Sequence, residues 1–456
     1  MSLASRVPLP GTRARRALSP SAPRPCPYCF ATVDPQRLPF RCRGRAGRRQ
    51  GCEPVLDERL AAYLGSAAGA SLPPVFVAPG RRGAAAGRAE CPGCGQATGS
   101  RVCPECHNPL PPAWVDSPGR IVALVGAKNA GKSTYIAVLL HELMNRVGTE
   151  LDASLVACDD RTIERYKRDF ARPLLEERRL LPTTASAATG PREPLVYLLT
   201  RTRPPRFASG RTVLGRTPLG RAAAQARPGA GRAPRGRTDS LTLVLFDTAG
   251  EDLRSREMRD LHLRYLEAAD AVIFLVDPLE LPGARSAVAD TVPRPAVPGE
   301  DPDSEPINII ARVAEALRQR HGTRPGERLP VPVAVALTKI DVLRPALTRR
   351  SALHRSRVGA GVLDLDDREA VDAQVRALLH EWGAGQLDTF LEQQFEEHAL
   401  FGVSALGGVP EDGRVGPGGV RPYRAEDPLL WLLYRFGMLE GVRPGSGGGV
   451  SGGRGR

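Results

Sequence analysis

Apolar positions along this chain recur in two periods. Unbroken apolar runs, typical of strands buried on both faces, fall at Ile121-Val122-Ala123-Leu124-Val125, Pro194–Thr200, Leu241–Asp247, Ala271–Val276, Val331–Leu337 and Leu400–Val403. Between them, apolar residues spaced three and four apart predict helices over Thr134–Val147, Thr162–Arg179, Arg254–Ala269 and Ile307–Arg320, one or two helices over Val371–Glu397, and a last one over Asp427–Leu439. Such alternation predicts a doubly wound, mostly parallel α/β sheet. Nucleotides bind sheets of this kind at the carboxyl ends of the strands.

Elsewhere the periodicity lapses. Residues 1–25 are rich in Arg, Pro and Ser, and residues 441–456 in Gly, Ser and Arg; both are expected to be disordered. A helix-like run, Leu56–Leu64, leads into a Gly/Ala/Pro/Arg stretch, so 56–89 reads as a linker. Inside the main domain, expected at 118–440, residues 200–239 form an Arg/Gly/Pro-rich insertion and 278–305 a Pro-rich acidic loop.

Charge sharpens this division. The net +14 is carried by appendages: residues 1–52 hold eleven Arg against one acid, Asp34, and 200–238 hold ten Arg and no acid. The remainder is mildly acidic, which excludes a uniformly basic nucleic-acid-binding body. Ten arginines could still neutralise RNA phosphates, but only Phe207 is interleaved, so base stacking is unsupported. No run approaches the roughly 18 apolar residues of a membrane span. The basic N-terminus lacks an apolar core, so a cytoplasmic protein is expected.

The first strand runs into Gly126-Ala127-Lys128-Asn129-Ala130-Gly131-Lys132-Ser133-Thr134, a G-x-x-x-x-G-K-S phosphate loop opening a helix. Glycines at 126 and 131 let successive backbone N–H groups turn towards phosphate oxygens. Lys132 can reach the β- and γ-phosphates, Ser133 can ligate Mg²⁺, and the helix N-terminus adds partial positive charge. Downstream, Asp247 in Asp247-Thr-Ala-Gly-Glu-Asp is placed to hold Mg²⁺ through water, and the Gly250 N–H to sense a γ-phosphate. In Thr338-Lys339-Ile340-Asp341 the carboxylate of Asp341 can accept the N1–H and N2–H₂ donors of guanine, a pair adenine lacks. Lys339 can lie across the base, and Ser404-Ala405-Leu406 can bring an N–H to the guanine O6. A switch threonine should lie between the first helix and residue 194. Thr183 and Thr184 are the candidates, with Thr184 chosen.

Eight of nine cysteines are spaced for metal. Cys91-Pro-Gly-Cys94 and Cys103-Pro-Glu-Cys106 are paired C-x-x-C knuckles, read as a zinc ribbon over 90–112; Cys26, Cys29, Cys42 and Cys52 are read as a four-Cys zinc module over 26–55. Four thiolates per site with no spare position favour structural Zn²⁺. His107 adjoins Cys106 and could substitute, though a bystander role is preferred; Cys158 reads as an inert buried thiol.

These motifs resemble the TRAFAC-class, small-GTPase-like G domains over about residues 118–440. More narrowly, GAKNAGKST, DTAGED, FLVDP, TKID and DPLLWLLYRFG behind two zinc clusters resemble the bacterial double-GTPase family, mostly actinobacterial, whose members are encoded beside a second GTPase. The resemblance implies GTP/GDP binding, Mg²⁺ dependence, GTP hydrolysis in a signalling switch and a companion GTPase as partner. Similar domains with N-x-G-K-S also use the Asn, here Asn129, to ligate K⁺. Two positions depart from the pattern. Glu251 stands where relatives orient water with Gln, which implies slow hydrolysis, and Thr338 replaces the usual Asn. An RNA- or ribosome-associated zinc-ribbon protein and a nucleotide-bound scaffold without turnover are the alternative readings.

Overall fold

A computed structural model describes residues 5–6, 22–44, 51–78, 87–116, 120–127, 129–182, 194–203, 237–246, 263–288, 305–324, 326–355 and 361–443. Among the described residues, the two larger sheets of the main domain hold seven strands: β1 (Val122–Gly126), β2 (Ala153–Ala157), β3 (Leu195–Arg203), β4 (Arg237–Leu245), β5 (Ala271–Val276), β6 (Val333–Leu337) and β7 (His398–Gly402). The order β1-β5-β6-β7 forms a fully parallel sheet, with Val122 beside Ala271, Val272 beside Val333 and Val333 beside His398. β2, β3 and β4 form an antiparallel meander.

All five residues of β1 and β6 and all six of β5 are buried, so both faces of the sheet must be covered. The period-2 rule sorts them. Ala123, Val125, Val272, Phe274, Val333 and Val335 face one core, with Ile310, Val313 and Leu317 of α2 (Pro306–His321) and Val371, Val375 and Leu378 of α3 (Leu365–Glu381). Val122, Leu124, Ile273, Leu275, Ala334 and Ala336 face the other, under α1 (Lys132–Met144) and Leu429, Leu430 and Leu433 of α5 (Asp427–Arg435). A fourth helix, α4 (Gly385–Gln394), follows α3, so Val371–Glu397 resolves into two helices. End signals are local. Asp364 accepts the N–H groups of Asp366 and Asp367 ahead of α3, and α2 starts on Pro306 and closes on Gly322 at φ +59°.

β4 runs alongside β1, yet no ladder joins them among the described residues. Ile121 turns its carbonyl to the N–H of Ala271, so Val122 and Leu124 direct their backbone groups to the opposite edge. There the buried Tyr265 hydroxyl accepts the Leu124 N–H at 2.8 Å and donates to the Val122 carbonyl at 3.2 Å. A side chain thus satisfies backbone groups that a strand would otherwise pair.

Several expectations are corrected. The helix-like run Leu56–Leu64 is indeed the helix Glu58–Leu64, N-capped by Asp57, but the linker after it holds strands Ser71–Leu72 and Val75–Phe76, which pair with Val55–Leu56 and Phe40–Arg41. The helix expected over Thr162–Arg179 begins as Asp160–Arg165 and continues as a π-helix, Tyr166–Glu176, whose wider turn accommodates Pro173. In the acidic loop, Pro278–Glu280 and Pro282–Ala287 are helical. Of the termini expected to be disordered, Ser5–Arg6 pairs with Val442–Arg443, and Arg24–Pro25 with Thr32–Val33. Of the insertion expected at 200–239, residues 204–236 lie outside the described residues, while 200–203 and 237–239 are strand, because β3 and β4 pair along all nine of their residues. Among the described residues no helix is long and apolar enough to cross a membrane.

Candidate functional site

One cavity, about 390 Å³, opens at the carboxyl ends of the parallel strands. Its floor is the phosphate loop and the first turn of α1, from Asn129 to Tyr135. Gly126 passes so close to β5 that a Cβ there would lie 2.6 Å from the Leu275 carbonyl, and Gly131 enters α1 at φ +82°. Asn129 is also left-handed, at φ +65°, and exposed at the rim. Lys132 is buried and its ammonium donates to the carbonyls of Gly126 (2.9 Å) and Ala127 (2.6 Å). The lysine thereby curls back over its own loop, where a phosphate can compete for it.

The far wall carries the base-reading candidates. Thr338, Lys339, Asp341, Ser404, Ala405 and Leu406 all line the same cavity. Thr338 is tied to the end of β5, its N–H (2.8 Å) and its hydroxyl (3.3 Å) both donating to the Val276 carbonyl. Lys339, at φ +51°, reaches Asp277 at 2.5 Å, and Asp277 also accepts the Leu279 N–H at 2.9 Å. The Ser404 hydroxyl accepts the Gly407 N–H at 2.8 Å, and Ser404 and Tyr423 exchange both backbone bonds.

Leu180, Leu181, Pro182, Val409 and Pro410 supply an apolar wall that sequence reasoning missed. Loop leucines and prolines carry no periodic signal. What brings them together is a long-range tie, Leu180 N–H to the Gly413 carbonyl and Val415 N–H to the Arg178 carbonyl, each at 2.9 Å. Of the remaining candidates, Lys128, Thr183, Thr184, Asp247 and Gly250 lie outside the described residues.

Next in sequence to Leu279 of the cavity lining, Glu280 is half-buried with one carboxylate oxygen unpartnered. Burial, reinforced by Asp277, pushes its carboxyl up from 4.5 to about 7. The folded protein therefore holds a proton that the unfolded chain releases near pH 4.5, and stability falls as pH rises from there to about 7. Glu280→Gln should raise the melting temperature at pH 8 and leave it nearly unchanged at pH 4.5. An equal shift at both values would remove Glu280 as the cause.

The cysteines correct the expected zinc modules. Cys26, Cys29, Cys103 and Cys106 form one group, and Cys42, Cys52, Cys91 and Cys94 the other; within each, all four sulfurs lie within 4.8 Å. The sites are nested rather than sequential. Sulfur pairs stand 3.9 Å (Cys26–Cys106), 3.8 Å (Cys29–Cys103), 3.5 Å (Cys42–Cys94) and 3.7 Å (Cys52–Cys91) apart. A tetrahedral ion with bonds of about 2.3 Å needs edges of about 3.8 Å, so both groups fit Zn²⁺. His107 joins neither; its Nδ1 meets Asp57 at 2.8 Å, beside Arg41. Cys158 is half-buried, and burial together with neighbouring Asp159 raises its thiol to about 12, in keeping with an inert role. A third cluster, Asp388, Glu392 and His398, already surrounds the Arg376 guanidinium.

The first group is built into the main core with Phe30, Leu38, Trp114 and Phe246. Tyr28, inside the first knuckle, donates to Asp159 at 2.7 Å, and Asp159 in turn caps the helix Asp160–Arg165. The second group stands beside a small cluster of Phe40, Ala78 and Ala89.

No family model matches the chain. It is 28% identical over 436 residues, 91% of its own length and 99% of the other's, to a candidate ESX-1 scaffolding and assembly protein, SaeC, from Mycolicibacterium smegmatis. Among solved structures it is similar to the signal recognition particle receptor SRb-GTP/SRX complex of Chaetomium thermophilum (14% identity, 64% of this chain, 94% of that one, TM-score 0.26). It is also similar to the Arl6 BBS3 small GTPase of Trypanosoma brucei with a bound nucleotide analogue (14%, 70%, 98%, 0.24). Scores this low carry no argument. The parallel strand order, the phosphate loop and the cavity at the strand ends make this an α/β fold of the P-loop kind.

Proposed function

We propose that this protein binds GTP and GDP, hydrolyses GTP slowly, and works as a nucleotide-dependent switch. The reading is carried by one observation: a single cavity has the phosphate loop at one end and Thr338, Lys339, Asp341 and Ser404–Leu406 at the other. Lys132 and the loop amides would hold the phosphates, and Asp341 would accept the two donors on the guanine edge. Ser133, Asp247 and Thr184, or its neighbour Thr183, would hold Mg²⁺, which neutralises phosphate charge when bound. K⁺ beside Asn129 belongs to the same reading, and equal turnover in KCl and NaCl would reject it.

Titration with GDP and with ADP, both with Mg²⁺, tests base choice. A preference for GDP of about a hundredfold is expected, about 2.7 kcal/mol for the lost pair of base contacts. Asp341→Ala should abolish it. Equal affinity for the two would make this a nucleotide-binding protein without base selection.

A second reading is a scaffold held in one nucleotide state. It is favoured by Glu251, whose carboxylate beside a triphosphate cannot replace the water-orienting amide, and by the scaffolding role given to the M. smegmatis relative. A single-turnover assay separates the two, since the scaffold retains GTP unhydrolysed. In either reading the resemblance implies a companion GTPase as partner, to be sought by co-purification in both nucleotide states.

A further inference from the structure

We propose that Phe30, carried on the first zinc knuckle, is a positioning residue for the nucleotide site, so that zinc at Cys26/Cys29/Cys103/Cys106 and nucleotide at the cavity bind cooperatively. The inference rests on the nucleotide-binding reading above. Three rings form one buried cluster: Phe30 lies 5.2 Å from Tyr265 and 6.0 Å from Phe246, and Phe246 lies 5.4 Å from Tyr265. Each ring belongs to a different part of the machinery. Phe30 directly follows Cys29, Phe246 directly precedes Asp247, and Tyr265 bonds the backbone of β1 two residues before Gly126. The cluster therefore sets where the strand leading to the Mg²⁺-binding candidate lies relative to the strand leading to the phosphate loop.

The backbone adds a second, independent observation. Three knuckles share one turn, in which the residue after the second cysteine donates to the carbonyl of the first: Phe30 to Cys26, Gly95 to Cys91 and His107 to Cys103. All three are left-handed, at φ +61°, +70° and +52°. Glycine adopts that conformation freely, whereas a phenylalanine there is strained. Knuckle geometry alone would favour glycine at residue 30, as at residue 95. The strained phenylalanine is explained by the destination of its ring.

The test uses the full zinc-loaded chain. Zinc affinity is measured by equilibrium competition with a chromogenic chelator, without nucleotide, with GDP, and with a non-hydrolysable GTP analogue. One of the two zinc ions should bind about fivefold or more tightly with nucleotide present, and Cys26→Ser should abolish that ion's signal. Phe30→Gly suits the knuckle backbone but removes the ring; it should keep both zinc ions, lose the coupling and weaken GDP binding. Tyr265→Phe keeps the ring and removes the bonds to β1; it should also keep zinc and lower the coupling, which covers the case in which Phe30→Gly fails to fold. Wild-type protein that binds no nucleotide overturns the underlying reading. Wild-type protein that binds GDP with zinc affinity unchanged, and variants with unchanged GDP affinity, overturn the coupling alone.

Discussion

Lys132→Ala is expected to weaken GDP and GTP binding by between about a hundredfold and a thousandfold. The ammonium is buried and already aimed inward by the carbonyls of Gly126 and Ala127, so it needs little reorganisation to reach a phosphate. Each hydrogen bond to a charged partner contributes about 1.5–3 kcal/mol, and two at about 1.5–2 kcal/mol each account for the range. Alanine favours helix, so the substitution keeps the first turn of α1. Fluorescence anisotropy with a labelled GDP measures the loss, and a melting curve checks the fold. A loss below tenfold would mean that the cavity does not take the phosphates at this loop.

The second large effect concerns the two four-cysteine groups, if zinc fills them as their spacing allows. Cys26→Ser combined with Cys106→Ser should cost one zinc ion, whereas Cys26→Ser with Cys42→Ser should cost both. Sequential modules would give the opposite pattern, so metal stoichiometry decides between the two arrangements. Stability should divide as well. Structural zinc contributes on the order of 10 kcal/mol, and the Cys26/Cys29/Cys103/Cys106 site is continuous with the core that holds Ala123, Val125 and Phe274. Its loss should lower the melting temperature of the whole domain. Loss of the other site, whose neighbours are Phe40, Ala78 and Ala89, should chiefly expose residues 40–78 and 87–98 to proteolysis.

Much of the main domain was legible in the sequence because its signals are local. Ala271–Val276 was read residue for residue, since an unbroken apolar run between an acidic and a proline-bearing turn admits one assignment. The phosphate loop and Thr338–Asp341 were found by spacing, and the cavity unites them. The partition of the cysteines was not legible. C-x-x-C spacing says that a knuckle can bend around a metal, and nothing about which second knuckle it meets. The two-residue strands at Ser71–Leu72 and Val75–Phe76 are too short to show a period. The π-helix Tyr166–Glu176 has the composition of an ordinary helix, with Pro173 as its one local mark. Tyr265 reads as a core position on a helix; that its hydroxyl would seal the edge of β1 depends on the third dimension alone.

The nesting of the two sites also dictates an order of events when the chain is made. The ligands of the first site stand 74 and 80 residues apart across their sulfur pairs, and those of the second stand 39 and 52 apart and lie nested between them. Emerging from a ribosome, the chain can complete no site before Cys94, and Cys26 and Cys29 wait with open valences until Cys106 has appeared. The longer loop carries the larger closure entropy, so the outer site should close last, just ahead of the phosphate loop. A fragment ending near residue 55 would hold four thiols from two different sites and complete neither. Metallation in this arrangement would come late and in two steps, the inner site first and the outer one timed to the arrival of the domain it fastens.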